Sequence, residues 1–464
     1  MNFKKILGSF LSAMTMFSVS PVMAYDVTDE ASLDEYMTKT DNDKQDGVIK
    51  SDITTTTSHT STNEDVRFVA DGNRVLSGEI LSFTNSNGSL TLSINNGNTF
   101  TINNELYLEG TKLKNGRSGN YNFSDIKGTG SLIFANTSAF TANSVTAKEL
   151  SLTNGSTFTI NQTGEIDSIT VSGSNINSSS LTANKISSNI VNVSNFSVAQ
   201  VADLYVSTSL SASNQSVIDA RNMVGGVNTG KITAGSINLT NSSANADTIT
   251  ADNVKLVNVS SIDLVGDDAS GYSKSGTLTV NDTLDIGAGS TVKANNISAS
   301  TITGNGEIII GSAGTEASVI NTDQMGINKG QFTNTIIKGK SGEYGTITFV
   351  SGGDNITFEG DLNQLQIKGG SKSSNANVTV KDDSKLAIVA GTDTTGSGVV
   401  FDETTFTIGE NSEFNLNAKE SNLEFKSSSA KTKNNIELSE GSTINVSSLG
   451  SNKVIFDNIN HTNN

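Results

Sequence analysis

The chain has 464 residues, 34% of them hydrophobic, with no cysteine, a single proline and a formal net charge of −17. The missing cysteines exclude disulfides, thiolate metal sites and a cysteine lipid anchor, and so acidic a chain repels nucleic acid and anionic lipid. The hydrophobic share is low for a large globular core. The apolar residues nevertheless fall into short alternating runs, which a disordered chain has no use for.

Read in chain order, residues 1–24 form a signal peptide. Lys4 and Lys5 are its positive end, Ile6 to Val19 its apolar stretch, and Val22-Met23-Ala24 the small-residue cleavage signal. Cleavage after Ala24 removes Lys4 and Lys5 and no carboxylate, taking the charge from −17 to −19. No later stretch approaches the ~20 consecutive apolar residues of a spanning helix, so no integral membrane span is expected in the mature chain.

Residues 25–65 are expected to form an N-terminal cap and a polar linker. Ser32-Leu33-Asp34-Glu35 has capping-box spacing, and Leu33, Tyr36 and Met37 share one helical face. Gly47 to Ile53 reads as a short strand. A helix followed by a strand suits the head of a solenoid, whose first coil otherwise exposes an unpaired edge. Asp41-Asn-Asp-Lys-Gln-Asp-Gly47 has the look of a calcium loop, but Lys44 and Ile53 occupy positions that need oxygen ligands. It is read as a solvated cap turn. Thr54 to Thr60 is read as a polar linker or exposed strand.

From Val66 to Asn464 one pattern dominates, two strand residues on either side of a tight polar turn. Leu92 and Phe100, Leu150 and Phe158, Leu284 and Val292, Val378 and Leu386, Phe406 and Phe414, and Ile436 and Ile444 each open paired runs eight residues apart. Gly, Asn or Asp occupies each turn, as residues that tolerate left-handed backbone do. A second unit places Ala two residues after an apolar residue and a second apolar residue three further on. It runs through Ala142, Ala147, Ala183, Ala234, Ala251 and Ala294, and it is read as a corner with room for a small side chain only. Sandwich domains are disfavoured, because no composition shift marks a domain boundary and tryptophan is absent. The fold class is therefore all-β, a parallel β-helix with a short N-terminal helical cap and coils of ~20–25 residues.

Candidate chemistry is sparse. His59 and His461 are the two histidines, read as exposed residues of the linker and of the C-terminal tail. Asn321-Thr322-Asp323 matches the first signature of pectin-cleaving hydrolases, and Asp267-Asp268 and Asp382-Asp383 are acidic pairs. The Gly-His-Gly and Arg-Ile-Lys signatures that accompany the first are missing, and Asp382-Asp383 occupies an ordinary turn slot. No catalytic, cofactor-binding or metal-binding residue is assigned, no cofactor is expected, and the chain is not read as an enzyme. The many Asn-x-Ser/Thr tripeptides are read as a product of composition.

The Gly-Ser-Thr turns at Gly155 to Phe158, Gly289 to Val292 and Gly441 to Ile444, with the cap from Val27 to Ile53, resemble the passenger regions of Gram-negative autotransporter adhesins and related β-helical surface proteins. The likeness spans nearly the whole mature chain. It implies export through the periplasm to the cell surface or medium of a Gram-negative bacterium. There the chain would act as an adhesin-like or autoaggregating interaction protein. The partners it implies are host or bacterial surface glycans or proteins, or further copies of the chain. An inert stalk or coat protein and a polysaccharide-degrading β-helix are the alternatives. Autotransporters end in a membrane β-barrel, whereas this chain ends Val454-Ile-Phe-Asp-Asn-Ile-Asn-His-Thr-Asn-Asn464. The expectation is a fragment, a rod delivered by a separate partner, or a secreted one. The Asn-Pro-Asn motif of two-partner exoproteins is absent, Pro21 being the sole proline.

Overall fold

A computed structural model describes residues 23–39, 45–94, 97–220, 230–265, 276–304 and 306–310, and, from 318 to 463, the strands and turns named below. It is a parallel β-helix with, among the described residues, a single short helix. The chain divides into two compact units, Met1–Gly130 and Ser131–Asn464.

The first unit begins with β1 (Met23–Val27), α1 (Glu30–Thr38), β2 (Gln45–Ile49), β3 (Ile53–Thr55) and β4 (His59–Ser61). β1 pairs in parallel with β2, and β2 with the strand Asp65–Ala70. Inside, Val66 stacks on Leu90 and Leu90 on Leu113, one residue per coil. Of the run Thr54 to Thr60, expected to be a polar linker or exposed strand, Thr54, Thr55, His59 and Thr60 are strand residues of the solenoid. β3 pairs with Arg74–Gly78 and β4 with Leu81–Phe83. A threonine-rich run reads as linker from composition, yet Thr is a good strand residue when its neighbours supply the core.

The helix appears where its apolar face predicts it, with Leu33, Tyr36 and Met37 all buried. Its start lies a turn earlier than the Ser32 spacing suggests. Asp29 is the N-cap, in extended conformation, and its carboxylate accepts from the Ser32 N–H while the Ser32 hydroxyl accepts from the Asp29 N–H. Ser32 is the reciprocating residue at the third helical position, not the cap itself.

In the second unit the inner columns run long and apolar. Leu150, Ile169, Val191, Leu210, Ile237 and Val254 stand in register on successive coils, all buried. Each such residue contributes roughly 1.5–3 kcal/mol by leaving water. All six eight-residue units are strand–turn–strand. In the unit that opens at Leu150, Ser144–Thr153 leads through Asn154 (φ 51°) and Gly155 (φ 77°) into Thr157–Ser172.

Two expectations about the coils are adjusted. Coil length varies more than ~20–25 residues. Gly230 and Asp247, bonded across adjacent coils, are 17 residues apart, while Ser260 and Ser290 are 30 apart. Extra residues fall between strands and also within them, where the register shifts by a residue, as from Ala251 opposite Val280 to Val254 opposite Leu284. The alanine unit is not one small corner but two columns, and larger residues share both. Ile160 lies between Ala142 and Ala183, and Val280 follows Ala234 and Ala251. Small and large side chains alternate along the stack and interdigitate.

Candidate functional site

Strand periodicity sends every second side chain outward, and in the second unit those side chains repeat from coil to coil. Thr233, Thr250, Thr279 and Ser298 are in register on four successive coils, after Tyr205, which is 48% exposed. Thr153, Ser172, Ser194, Ser213 and Thr240 form a second column. Neighbouring coils sit ~4.8 Å apart, close enough for outward side chains to bond along the column. Ser211 Oγ donates to Asn192 Oδ1 at 2.6 Å, and Asn214 Nδ2 to Asn195 Oδ1 at 2.9 Å. The result is a broad surface of partly exposed hydroxyls and amides spaced by the coil repeat.

One corner carries a column that composition concealed. Ser197, Ser216, Ser242, Ser260 and Ser290 are buried, and each hydroxyl after the first accepts the backbone N–H of the serine one coil before it. Asn195, Asn214 and Asn258 precede three of these serines by two residues, in left-handed backbone. The Asn-x-Ser tripeptides at this corner are therefore a turn signature. Asn tolerates the left-handed turn, and Ser alone supplies a small buried acceptor. The signal that could have revealed them was the coil-length spacing between Asn-x-Ser copies.

The cap holds the clearest cluster of ionisable groups. His59, read from sequence as exposed, is only 4% exposed and lies between α1 and the first coil. Its Nδ1 is 2.8 Å from Asp34 Oδ1 and its Nε2 3.1 Å from Glu30 Oε1. Glu30 also accepts from the Thr56 hydroxyl and N–H at 2.8 and 2.7 Å, and from the Thr57 N–H and hydroxyl at 3.0 and 3.1 Å. The bonds from Thr56, then Thr57 and His59, hold the Glu30 carboxyl well below its ordinary value, at about 2. Because that value is depressed in the fold, Glu30 contributes stability above pH 4.5 that is lost as pH falls towards about 2. At the far end of the helix Asn63 Nδ2 donates to the Met37 and Lys39 carbonyls at 3.0 and 2.9 Å. Both ends of α1 are thus tied to the coil beneath.

The other candidates are scattered. Asn321, Thr322 and Asp323 lie in the strand Ser318–Met325, with Thr322 buried and in register with Ala299. Asp267-Asp268 and Asp41 to Lys44 fall outside the described residues, while Asp46 and Gly47 belong to β2. Asp382 and Asp383 are exposed turn residues. Asp382 Oδ1 accepts from the Glu410 N–H at 2.8 Å, and Asp383 has φ 54°. His461 sits in the strand Ile459–Asn463, in register with Ile436. Among the described residues no three His, Asp or Glu side chains converge as metal ligands, and no helix is long and apolar enough to cross a membrane.

No family model, curated protein or solved structure matches the chain.

Proposed function

We propose that the chain is exported and works as an interaction protein at the surface or in the surroundings of a Gram-negative bacterium, like the autotransporter passengers it resembles. The observation that carries this reading is the outward surface of the second unit. There hydroxyl and amide side chains recur in register over successive coils. Such columns offer many equivalent weak contacts, which sum by avidity when the partner is itself repetitive. Surface glycans, surface proteins and further copies of the chain all meet that condition.

The reading is tested with beads coated with the purified protein. Coated beads adhere to cells or clump, and a variant with Thr233, Thr250 and Thr279 all changed to Lys loses most of that gain. If coated beads bind and clump no more than bare ones, the interaction role fails and an inert stalk or coat takes its place.

A further inference from the structure

The geometry around His59 dictates a proton count. A neutral imidazole carries one N–H donor and one lone pair, whereas the protonated ring donates from both nitrogens. His59 sets each ring nitrogen against a carboxylate oxygen, Asp34 Oδ1 on one side and Glu30 Oε1 on the other. With both carboxylates ionised, the protonated ring alone satisfies both, and a neutral ring turns a lone pair towards one of them.

We propose that His59 is a pH-sensitive latch of the cap: protonated, it pins the first and second turns of α1 to the first coil, and on losing its proton it releases the Asp34 side. Three features place the release there. Glu30 keeps the bonds from Thr56 and Thr57 whatever the state of the ring. The C-terminal end of α1 is held by the Asn63 amide, which does not titrate. Asp34 is 57% exposed, so water receives its carboxylate readily once the ring lets go.

The charged groups that face the ring are the two carboxylates of α1. From the β3–β4 segment Thr56 and Thr57 approach, and on the neighbouring coil Leu81 lies in register with His59. The sign follows. Rising pH takes a donor from the ring and falling pH restores it, so the cap loosens as pH rises. Glu30 stays ionised down to about 2, and the acid arm of the latch persists well below neutrality.

The test is amide hydrogen exchange of Glu30–Thr38 in the full chain, corrected for intrinsic rates, at about pH 5.5 and about pH 8.5. In the wild type, protection of the helix falls about tenfold at the higher pH, the equivalent of ~1.4 kcal/mol. Protection of the strand Ser144–Thr153 stays constant. Asp34→Asn replaces the carboxylate with an amide whose N–H can meet the lone pair of the neutral ring, so its helix is protected alike at both pH values. His59→Gln, with unchanged circular dichroism, is as weakly protected at both pH values as the wild type is in alkali. Equal protection of the wild-type helix at the two pH values overturns the latch, and so does an undiminished step in either variant.

Discussion

The cap and the middle coils of the second unit solve the same problem, covering a parallel edge, by opposite means. In the coils from Ser144 to Thr303 one layer covers another of the same kind, and aliphatic columns such as Leu150 to Val254 run through successive layers. In the cap the cover is unique. One helix sits on one coil, fixed by individual bonds of Tyr36, His59, Glu30 and Asn63. Repetition spreads stability over neighbours. Uniqueness concentrates it in a few side chains, so the two regions should respond differently to single changes.

The largest effect is expected from a charge in an inner column. Leu152 is fully buried, in register with Phe134 on one coil and Val171 on the next. Leu152→Asp places an unpaired carboxylate there at a cost of more than about 4 kcal/mol. Limited proteolysis should then nick the coils on both sides. Thr153→Asp, one residue on and half-buried on the outward face, should stay within about 0.5 kcal/mol of the wild type. Equal protease sensitivity of the two variants would refute the assignment of inner and outer faces.

A smaller but more local effect is expected in the cap. The Tyr36 ring lies over Gly47, and a Cβ at Gly47 would stand 2.6 Å from Tyr36 Cε1. The ring cannot easily yield. It lies between Tyr25, on which it stacks, and Phe68, to which it is tilted, with centroids 5.7 and 5.5 Å away, and its hydroxyl donates to the Arg67 carbonyl at 2.7 Å. Gly47→Ala should cost about 1–3 kcal/mol, read as early loss of the α1 amides in hydrogen exchange with the second unit unchanged. If both regions lose protection together, the cap is not the separately stabilised element that its bonding suggests.

The same contrast explains what could be read from sequence. Strand alternation and the eight-residue spacing are local, so the inner faces at Leu150, Leu152, Phe158 and Ile160 were legible, as was the apolar face of α1. The burial of His59 was not. It depends on Glu30 and Asp34, 29 and 25 residues away, and nothing in a run of threonines signals a helix lying above it. The two alanine columns were merged for a similar reason. Spacing along the chain shows which residues point inward but not which coil-mates they meet, and register alone separates Ala183, under Ile160, from Ala251, over Val280. The corner serines were hidden by abundance, since one Asn-x-Ser in a chain this rich in Asn and Ser carries little information.

Those serines support the smallest prediction, which bears on whether the repeat is as additive as it looks. Ser260 Oγ donates to the Val257 carbonyl at 2.6 Å and accepts the Ser242 N–H at 3.4 Å. Val257 O keeps a second donor, the Asn241 N–H at 3.0 Å. Ser260→Ala therefore costs chiefly the acceptor for Ser242, about 1 kcal/mol, seen as a small shift of the denaturant midpoint. Ser216→Ala removes a different acceptor, the one for the Ser197 N–H. If each corner bond acts alone, the double variant should equal the sum of the singles within about 0.5 kcal/mol. A markedly larger loss would mean that the corner column is one cooperative network. The middle coils would then share the cap's dependence on specific polar bonds, and the contrast between the two regions would narrow to the aliphatic columns.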